Sequence, residues 1–214
     1  MTGSHSSGSP EHHDGEDRRT LDAYNRNSAS FADEWAAQPA PSDMYELLRR
    51  FFSPGPTADI GCGAGRDTVW LNDNGYPASG YDASEGLLRE AQQRHPHIQF
   101  HYAALPALVG VADNHFVNVL CETVIMHLDP SAVTPAIRKL VAILQPEGTL
   151  YLSWRLTEGA DLRDQHDRLY AAFDPAAALA GLTETKLLFD ETSVSASSGR
   201  AVRRIVARKR ANVP

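Results

Sequence analysis

The sequence predicts a doubly wound α/β domain, with a mostly parallel seven-stranded sheet that ends in an antiparallel hairpin. Three observations predict it. Apolar residues switch between the strand period and the helix period over roughly a hundred residues from Thr57, which implies parallel pairing with right-handed crossovers. A glycine cluster, Gly61-Cys62-Gly63-Ala64-Gly65, follows the first strand with no spacer. The last two strand-like runs, 186–194 and 201–208, are joined only by Ser195-Ala196-Ser197-Ser198-Gly199-Arg200, and so short a link permits only antiparallel neighbours.

Residues 1–19 hold Ser, Gly, His and acids with almost nothing apolar, so a disordered tail is expected ahead of one domain, 20–214. The adjacent His12 and His13 read as solvated side chains, not metal ligands. From Thr20 the pattern turns helical: Leu21, Tyr24, Ser28, Phe31 and Trp35 keep spacings of three and four and share one stripe. Ser42 opens a second apolar-periodic stretch, with Met44, Leu47, Leu48, Phe51 and Phe52, which Pro54-Gly55-Pro56 stops. These stretches form a helical cap over about 20–53. Strand one is 57–60, followed by a helix over 67–74 that Gly75 ends. Strand two, 77–81, closes on Asp82, and a Ser-capped helix covers 84–94. Strands three and four are 98–103 and 116–121. A helix over 131–144 and the turn Pro146-Glu147-Gly148 lead into strand five, 149–154. The polar stretch beyond it, from Trp154 through Arg155, Glu158, Asp161, Arg163, Asp164, His166, Asp167 and Arg168 to Tyr170, reads as a solvated, salt-bridged helix.

The chain has 214 residues, 42% of them hydrophobic, so it can bury a sizeable core. Its 20 basic residues, only three of them Lys, face 27 acidic ones, for a net charge of −7. A general nucleic-acid or anionic-membrane surface is therefore excluded, because phosphate binding needs a dense positive face. The basic cluster Arg203, Arg204, Arg208, Lys209 and Arg210 alternates with Val202, Ile205, Val206 and Ala207 and reads as a strand face. No apolar run reaches the roughly 20 residues of a membrane span, and no signal-peptide pattern opens the sequence. Two cysteines, Cys62 and Cys121, suit a reducing cytoplasm and exclude a disulfide framework or a multi-thiolate zinc site.

The glycine loop carries the functional argument. Glycines at alternate positions let the backbone turn sharply and approach a ligand where a Cβ would clash. The loop lies at the carboxyl end of strand one, where open α/β sheets bind ligands, and Asp82 closes the next strand, where it can accept hydrogen bonds from ribose hydroxyls. Asp59 puts a carboxylate beside the loop, which repels a diphosphate and attracts a cationic amino acid or sulfonium.

With these residues the sequence resembles the class I methyltransferases that use S-adenosylmethionine, from about Tyr24 to Arg208. Further matching features are Ala104-Leu105-Pro106, the stretch 121–128 from Cys121 to Leu128, Leu144-Gln145-Pro146-Glu147-Gly148 and the terminal hairpin. Within that superfamily it is similar to small bacterial enzymes acting on small molecules, including tellurite-resistance-type methyltransferases. One departure stands out: the family often has an acid early in strand four, where this chain has Val117 and Asn118.

The resemblance implies a Rossmann-like methyltransferase fold, S-adenosyl-L-methionine as donor and S-adenosyl-L-homocysteine as product. It implies that Gly61, Cys62, Gly63 and Gly65 bring the loop to the donor's methionine part and that Asp59 helps hold its amino group. Asp82 takes the ribose, Ala83 flanks the adenine, and Ala104 and Leu105 lie along its other face. Tyr24, Arg66 and Cys121 complete the donor set. His127 is the candidate catalytic base, and Glu122, Arg155, Arg163 and His166 are candidates for a small-molecule acceptor. No metal is implied, and the oligomeric state stays open between monomer and homodimer. Two other classes share the loop. A non-catalytic donor-binding module keeps it without turnover. A nicotinamide-dependent oxidoreductase prefers Gly-x-Gly-x-x-Gly, whereas here the spacing is Gly61-x-Gly63-x-Gly65.

Overall fold

The computed structural model of the chain describes residues 15–157 and 159–211; residues 1–14 of the expected 1–19 tail, Glu158 and residues 212–214 lie outside them. Strand β4 (Phe116–Cys121) shows how the centre is built. Val119 and Cys121 face one core and Leu120 the opposite one, all fully buried. Alternation of this kind, apolar on both faces, belongs to a parallel strand covered by helices on each side. β1 (Thr57–Ile60) is likewise buried throughout. β5 (Leu144–Arg155) and β9 (Ala201–Lys209) repeat the pattern, with Leu150, Leu152, Ile205 and Ala207 on one face and Tyr151 and Val206 on the other.

Among the described residues the main sheet has seven strands in the order β3-β2-β1-β4-β5-β9-β8, with β2 (Ala78–Asp82), β3 (Phe100–Tyr102) and β8 (Thr185–Val194) completing it. β3, β2, β1, β4 and β5 run parallel, whereas β9 is antiparallel to β5 and to β8. The chain reverses its direction of travel between β1 and β4, and that reversal opens a crevice at the carboxyl ends of the strands.

Helices cover both faces. α3 (Ser42–Phe51) and α4 (Arg66–Asp73) contribute Met44, Leu48 and Leu71 to the core that holds Leu120. α6 (Pro130–Ile143) and α7 (Pro175–Gly181) pack on the other face through Val133, Ile137, Leu140 and Ala178. Each fully buried aliphatic side chain contributes about 2 kcal/mol of transfer free energy. α5 (Glu85–Arg94) begins at Ser84, whose Oγ accepts from the Leu87 amide, and lays Leu88 and Ala91 against Cys62 and Phe100. α6 and α7 start with Asp129-Pro130 and Asp174-Pro175, an acid cap followed by a proline at the first helical position.

Three parts of the sequence reading are corrected. The first helical stretch is two helices, α1 (Arg18–Arg26) and α2 (Ser28–Ala37). They part at Asn27, whose side-chain amide donates to the Ala23 carbonyl and competes with the helical ladder. α1 also starts before Thr20, because Asp17 caps it by accepting from the Thr20 amide at 2.8 Å, so the ordered chain reaches into the expected tail. The polar stretch after β5 is not a helix; β6 (Leu162–Arg163) and β7 (Leu169–Tyr170) pair antiparallel there. No helix among the described residues is long and apolar enough to cross a membrane.

The departure at Asn118 has a structural account. Asn118 sits opposite Thr57, at the amino end of β1, and is fully buried. Its amide donates to the Ser53 carbonyl and Thr57 Oγ1 and accepts from the Ser53 amide, fastening the entry into β1 far from the carboxyl-end crevice.

Candidate ligand cavity at the carboxyl ends of the strands

The loop leaving β1 is held by backbone. The amides of Gly61 and Cys62 both donate to the Tyr81 carbonyl, at 2.7 and 3.1 Å. Gly61 has φ +76°, and a Cβ there would lie 2.2 Å from Val124 Cγ2, so the loop after β4 packs directly on glycine backbone. Gly63 has φ +55° and donates its amide to Asp82 Oδ2 at 2.8 Å. The other oxygen of Asp82 accepts from the Ser84 amide at 2.8 Å. Burial pushes the Asp82 carboxyl up, against the opposing pull of these amides.

Loop, strand ends and helical cap enclose a cavity of 630 Å³, within the range of small-molecule sites. One wall is made by Ile60, Gly61, Cys62, Gly63, Asp82, Ala83 and Leu105, and the other by Tyr24, Met126, His127, Arg155, Arg168 and Tyr170. Trp35 of α2 and Ser195, Ser197 and Ser198 at the β8–β9 tip border it as well. α1 is seated by Asn25, whose Oδ1 accepts from Ser84 Oγ and the Gly86 amide at the start of α5.

The cavity brings together Tyr24, Gly61, Cys62, Gly63, Arg66, Asp82, Ala83, Leu105, Glu122, His127 and Arg155 of the residues singled out from sequence. Six others stand off its wall. Asp59 is buried behind the loop, accepting from Thr68 Oγ1 at 2.7 Å, and burial together with Asp67 pushes its carboxyl up to about 8. Gly65 caps α4 and packs against Phe100. Ala104 is buried with its carbonyl bonded to the Leu108 amide. Cys121 lies in the core, and burial raises its thiol; Cys62 is raised in the same way, so neither is a reactive thiolate. Arg163 is turned away by a 2.6 Å ion pair to Asp17, and the His166 ring packs edge-on against Phe31.

His127 has no free nitrogen. Its Nδ1 donates to the Leu169 carbonyl, which fixes the tautomer and leaves Nε2 to accept from the Tyr24 hydroxyl at 3.0 Å. Burial, with Arg168 and Arg155 nearby, pushes the imidazole down to about 4, so it is neutral at physiological pH. Glu122 belongs to a second network. It accepts from Ser153 Oγ, and burial raises its carboxyl. Next to it, the Thr123 amide is bonded to Ser153 Oγ, and Thr123 holds the left-handed φ of +54° that turns the chain over the cavity. Arg66 is neutralised by Asp67 at 2.9 Å, and Asp67 also accepts from the Tyr45 hydroxyl at 2.8 Å.

Sequence reasoning left Trp35, Arg168 and Tyr170 out of the site. Arg168 and Tyr170 are two residues apart and border the cavity together, and a strand reading of 169–170 supplies the signal that a helical one hides. The Arg168 guanidinium lies 4.6 Å over the Phe31 ring and 5.3 Å over Tyr24, joining the hairpin to the helical cap.

Residues 58–148 match the family described as methyltransferase domain. A trans-aconitate 2-methyltransferase of Rhizobium meliloti (strain 1021) is 28% identical over 155 residues, which cover 70% of this chain and 58% of that protein. The chain thus spans less than two thirds of the length of that relative. Among solved structures, a 1,6-didemethyltoxoflavin-N1-methyltransferase of Burkholderia thailandensis, with bound 1,6-didemethyltoxoflavin and S-adenosylhomocysteine, superposes with TM-score 0.70. It is 20% identical, covering 90% of this chain and 88% of its own. The cyclase SpnF superposes with TM-score 0.69 at 14% identity, covering 92% and 98%. At such identities the likeness is one of fold.

Proposed function

We propose, from the class I S-adenosylmethionine-dependent methyltransferase domain that this chain carries, that it transfers a methyl group from S-adenosylmethionine to a small-molecule nucleophile. One observation carries the reading: a single cavity at the topological switch point joins a glycine-loop wall, suited to the donor, to an aromatic and cationic wall, suited to an acceptor. The residues fit the donor. Asp82 retains lone pairs for a ribose diol beyond those used by the Gly63 and Ser84 amides, and Ala83 and Leu105 offer apolar surface for a purine. Gly61 and Gly63 allow close backbone approach, and Asp59 lies buried behind the loop, where a nearby cationic amino group favours its ionised form.

The bound sulfonium supplies an activated methyl with a neutral leaving group. The chain's part is alignment and exclusion of water. Tyr24, His127 and the Leu169 carbonyl form a fixed hydrogen-bonded line across the acceptor wall, and Trp35 and the 195–198 tip border the mouth. With both ring nitrogens engaged, His127 positions Tyr24, and no proton transfer is routed through it. A net charge of −7 favours a small acceptor over nucleic acid or membrane, and the two buried free cysteines favour a cytoplasmic setting.

Because one fold supports several chemistries, turnover decides between enzyme and binding module. Calorimetry with S-adenosylhomocysteine on wild type and Asp82→Ala tests the donor site, and an acceptor screen that follows thioether nucleoside release tests catalysis. Binding weakened in Asp82→Ala together with acceptor-dependent release supports the proposal. Wild type that binds no thioether nucleoside, or equal binding in the variant, rejects it.

A further inference from the structure

We propose that the acceptor carries a carboxylate and that Arg155 is the residue that holds it. This rests on the reading of the cavity as a methyl-transfer site and adds the chemical class of the acceptor. Four arginines border the cavity. Three are matched by acids: Arg66 by Asp67 at 2.9 Å, Arg94 by Asp33 at 2.7 Å and Arg168 by Asp164 at 2.6 Å. Arg155 has no carboxylate within ion-pair distance among the described residues. It ends β5, at the sheet edge that opens into the crevice. Its Nη1 donates to the Tyr170 hydroxyl at 3.3 Å and its guanidinium stands 5.4 Å from the Tyr170 ring, while its Nε is buried with no hydrogen-bond partner.

A buried guanidinium N–H without an acceptor is costly, and native structures complete such groups with protein, water or ligand. The contacts that Arg155 makes among the described residues, the Tyr170 hydroxyl and ring and the Met126 sulfur, are not anionic. His127 is neutral and its lone pair is used by Tyr24, and the Asp164 carboxylate is used by Arg168. Arg155 borders the cavity, and the planar fork of its N–H donors matches the two oxygens of a carboxylate. Charge number narrows the class further. Arg155 offers one positive charge with no acid paired to it among the described residues, and Glu16, Asp17, Asp82 and Glu122, which border the same cavity, oppose a second negative charge on the ligand. The rest of that wall, Met126, Leu128 and the Tyr24 and Tyr170 rings, is apolar and aromatic, so the carboxylate is expected on an apolar body.

The test uses acetate and benzoate, each against its neutral amide, with inorganic phosphate as a third anion. Calorimetric and thermal-shift titrations are run on the free protein and on protein loaded with S-adenosylhomocysteine, for wild type, Arg155→Gln and Arg155→Lys. The expected result is that benzoate binds and benzamide does not. Arg155→Gln should weaken benzoate by roughly tenfold or more, and Arg155→Lys should keep part of the affinity. A fall in S-adenosylhomocysteine affinity in Arg155→Gln equal to that for benzoate would assign Arg155 to the donor's own carboxylate and overturn the inference. Neither carboxylate binding wild type, equal benzoate affinity in Arg155→Gln, or phosphate preferred over benzoate would overturn the inference. If S-adenosylhomocysteine fails to bind wild type, the donor reading falls by itself, and the titrations on free protein still report on Arg155.

Discussion

Replacing Asp59 by Asn should make the protein more stable at neutral pH than the natural chain. Asp59 is 3% exposed, and its one side-chain bond is the 2.7 Å contact from Thr68 Oγ1. Burial and the neighbouring Asp67 raise its carboxyl from 3.8 to about 8. A carboxyl raised on folding acts in the opposite sense to a salt-bridged one. Between 3.8 and about 8 the folded chain keeps a proton that the unfolded chain has released, so folding stability falls as pH rises through that window. At 1.36 kcal/mol per pH unit, the group removes about 4 kcal/mol between pH 4 and pH 7. Asn keeps a neutral carbonyl for Thr68 and does not titrate. The stability difference, variant minus natural chain, should therefore grow by about that amount from pH 4 to pH 7. Urea unfolding at half-unit pH steps reads it directly, and the titrating groups that are not coupled to Asp59 cancel in the difference, which leaves its neighbours Asp67 and Asp82 as the residual. Parallel pH profiles for the two proteins would refute the reasoning. A second reading follows from the same charge: a ligand ammonium near Asp59 favours its ionised form, so S-adenosylhomocysteine should flatten the natural chain's profile and leave the Asn variant's unchanged.

Gly61→Ala should destabilise the chain by about 1–3 kcal/mol in urea unfolding, because its Cβ meets Val124 at 2.2 Å on a φ of +76°. Asp82→Ala should weaken S-adenosylhomocysteine binding by about 1–3 kcal/mol in calorimetry while the fold persists, since Gly63 and Ser84 lose a common acceptor at the loop. Removing 1–14 should leave the melting temperature unchanged, whereas Asp17→Ala should cost about 1–2 kcal/mol through loss of the α1 cap and the Arg163 pair. Asp17 is lowered from 3.8 to about 2, so its contribution is complete above about pH 4 and is lost as pH falls from there through about 2, a loss that acid titration of the two proteins compares. His127, pushed down to about 4, should leave no inflection near pH 6.5 in turnover, and His127→Gln should lower the rate without changing the shape of the pH profile.

The central sheet was legible because its strands are bounded by residues that cannot continue them. Pro56 and Gly61 bracket β1 (Thr57–Ile60), and the run of β4, apolar except for Asn118, is too short for a helix, so both segments match the structure residue for residue. The break at Asn27 was hidden for a physical reason: Tyr24, Phe31 and Trp35 form one ring cluster, with Phe31 and Trp35 stacked at 5.7 Å, so the apolar stripe continues in phase across two helices. The segment after β5 misled because charge density looks alike on a solvated helix and on a short hairpin. Its Asp164–Arg168 pair even has the helical spacing of four, yet the pair closes a turn in which the Asp167 amide bonds to the Asp164 carbonyl. α7 carried a signal that went unused, Asp174 followed by Pro175, which together cap and start a helix.

Depth is what sequence did not supply at the site. Asp59 and Asp82 both stand at the carboxyl ends of neighbouring parallel strands, and their positions alone place both within reach of a ligand. Two residues of register separate their fates, since Asp59 lies opposite Gly80. Asp59 precedes the end of β1 and turns under α4 to Thr68, whereas Asp82 ends β2 and turns toward the loop to take the Gly63 amide. His127 shows the same limit in bonding. Its place beside the cavity followed from the chain order, but its role depends on two partners, Tyr24 and Leu169, that are 103 and 42 residues away. Those partners occupy both nitrogens and keep the ring neutral, which turns a candidate base into a strut. Arg155 reverses the case. What sets it apart is that no acid is paired with it among the described residues, and of the four arginines that border the cavity only three-dimensional packing tells which one that is. On the proposed reading the acceptor side is specified by that charge, and the donor side by glycine backbone and the Asp82 carboxylate.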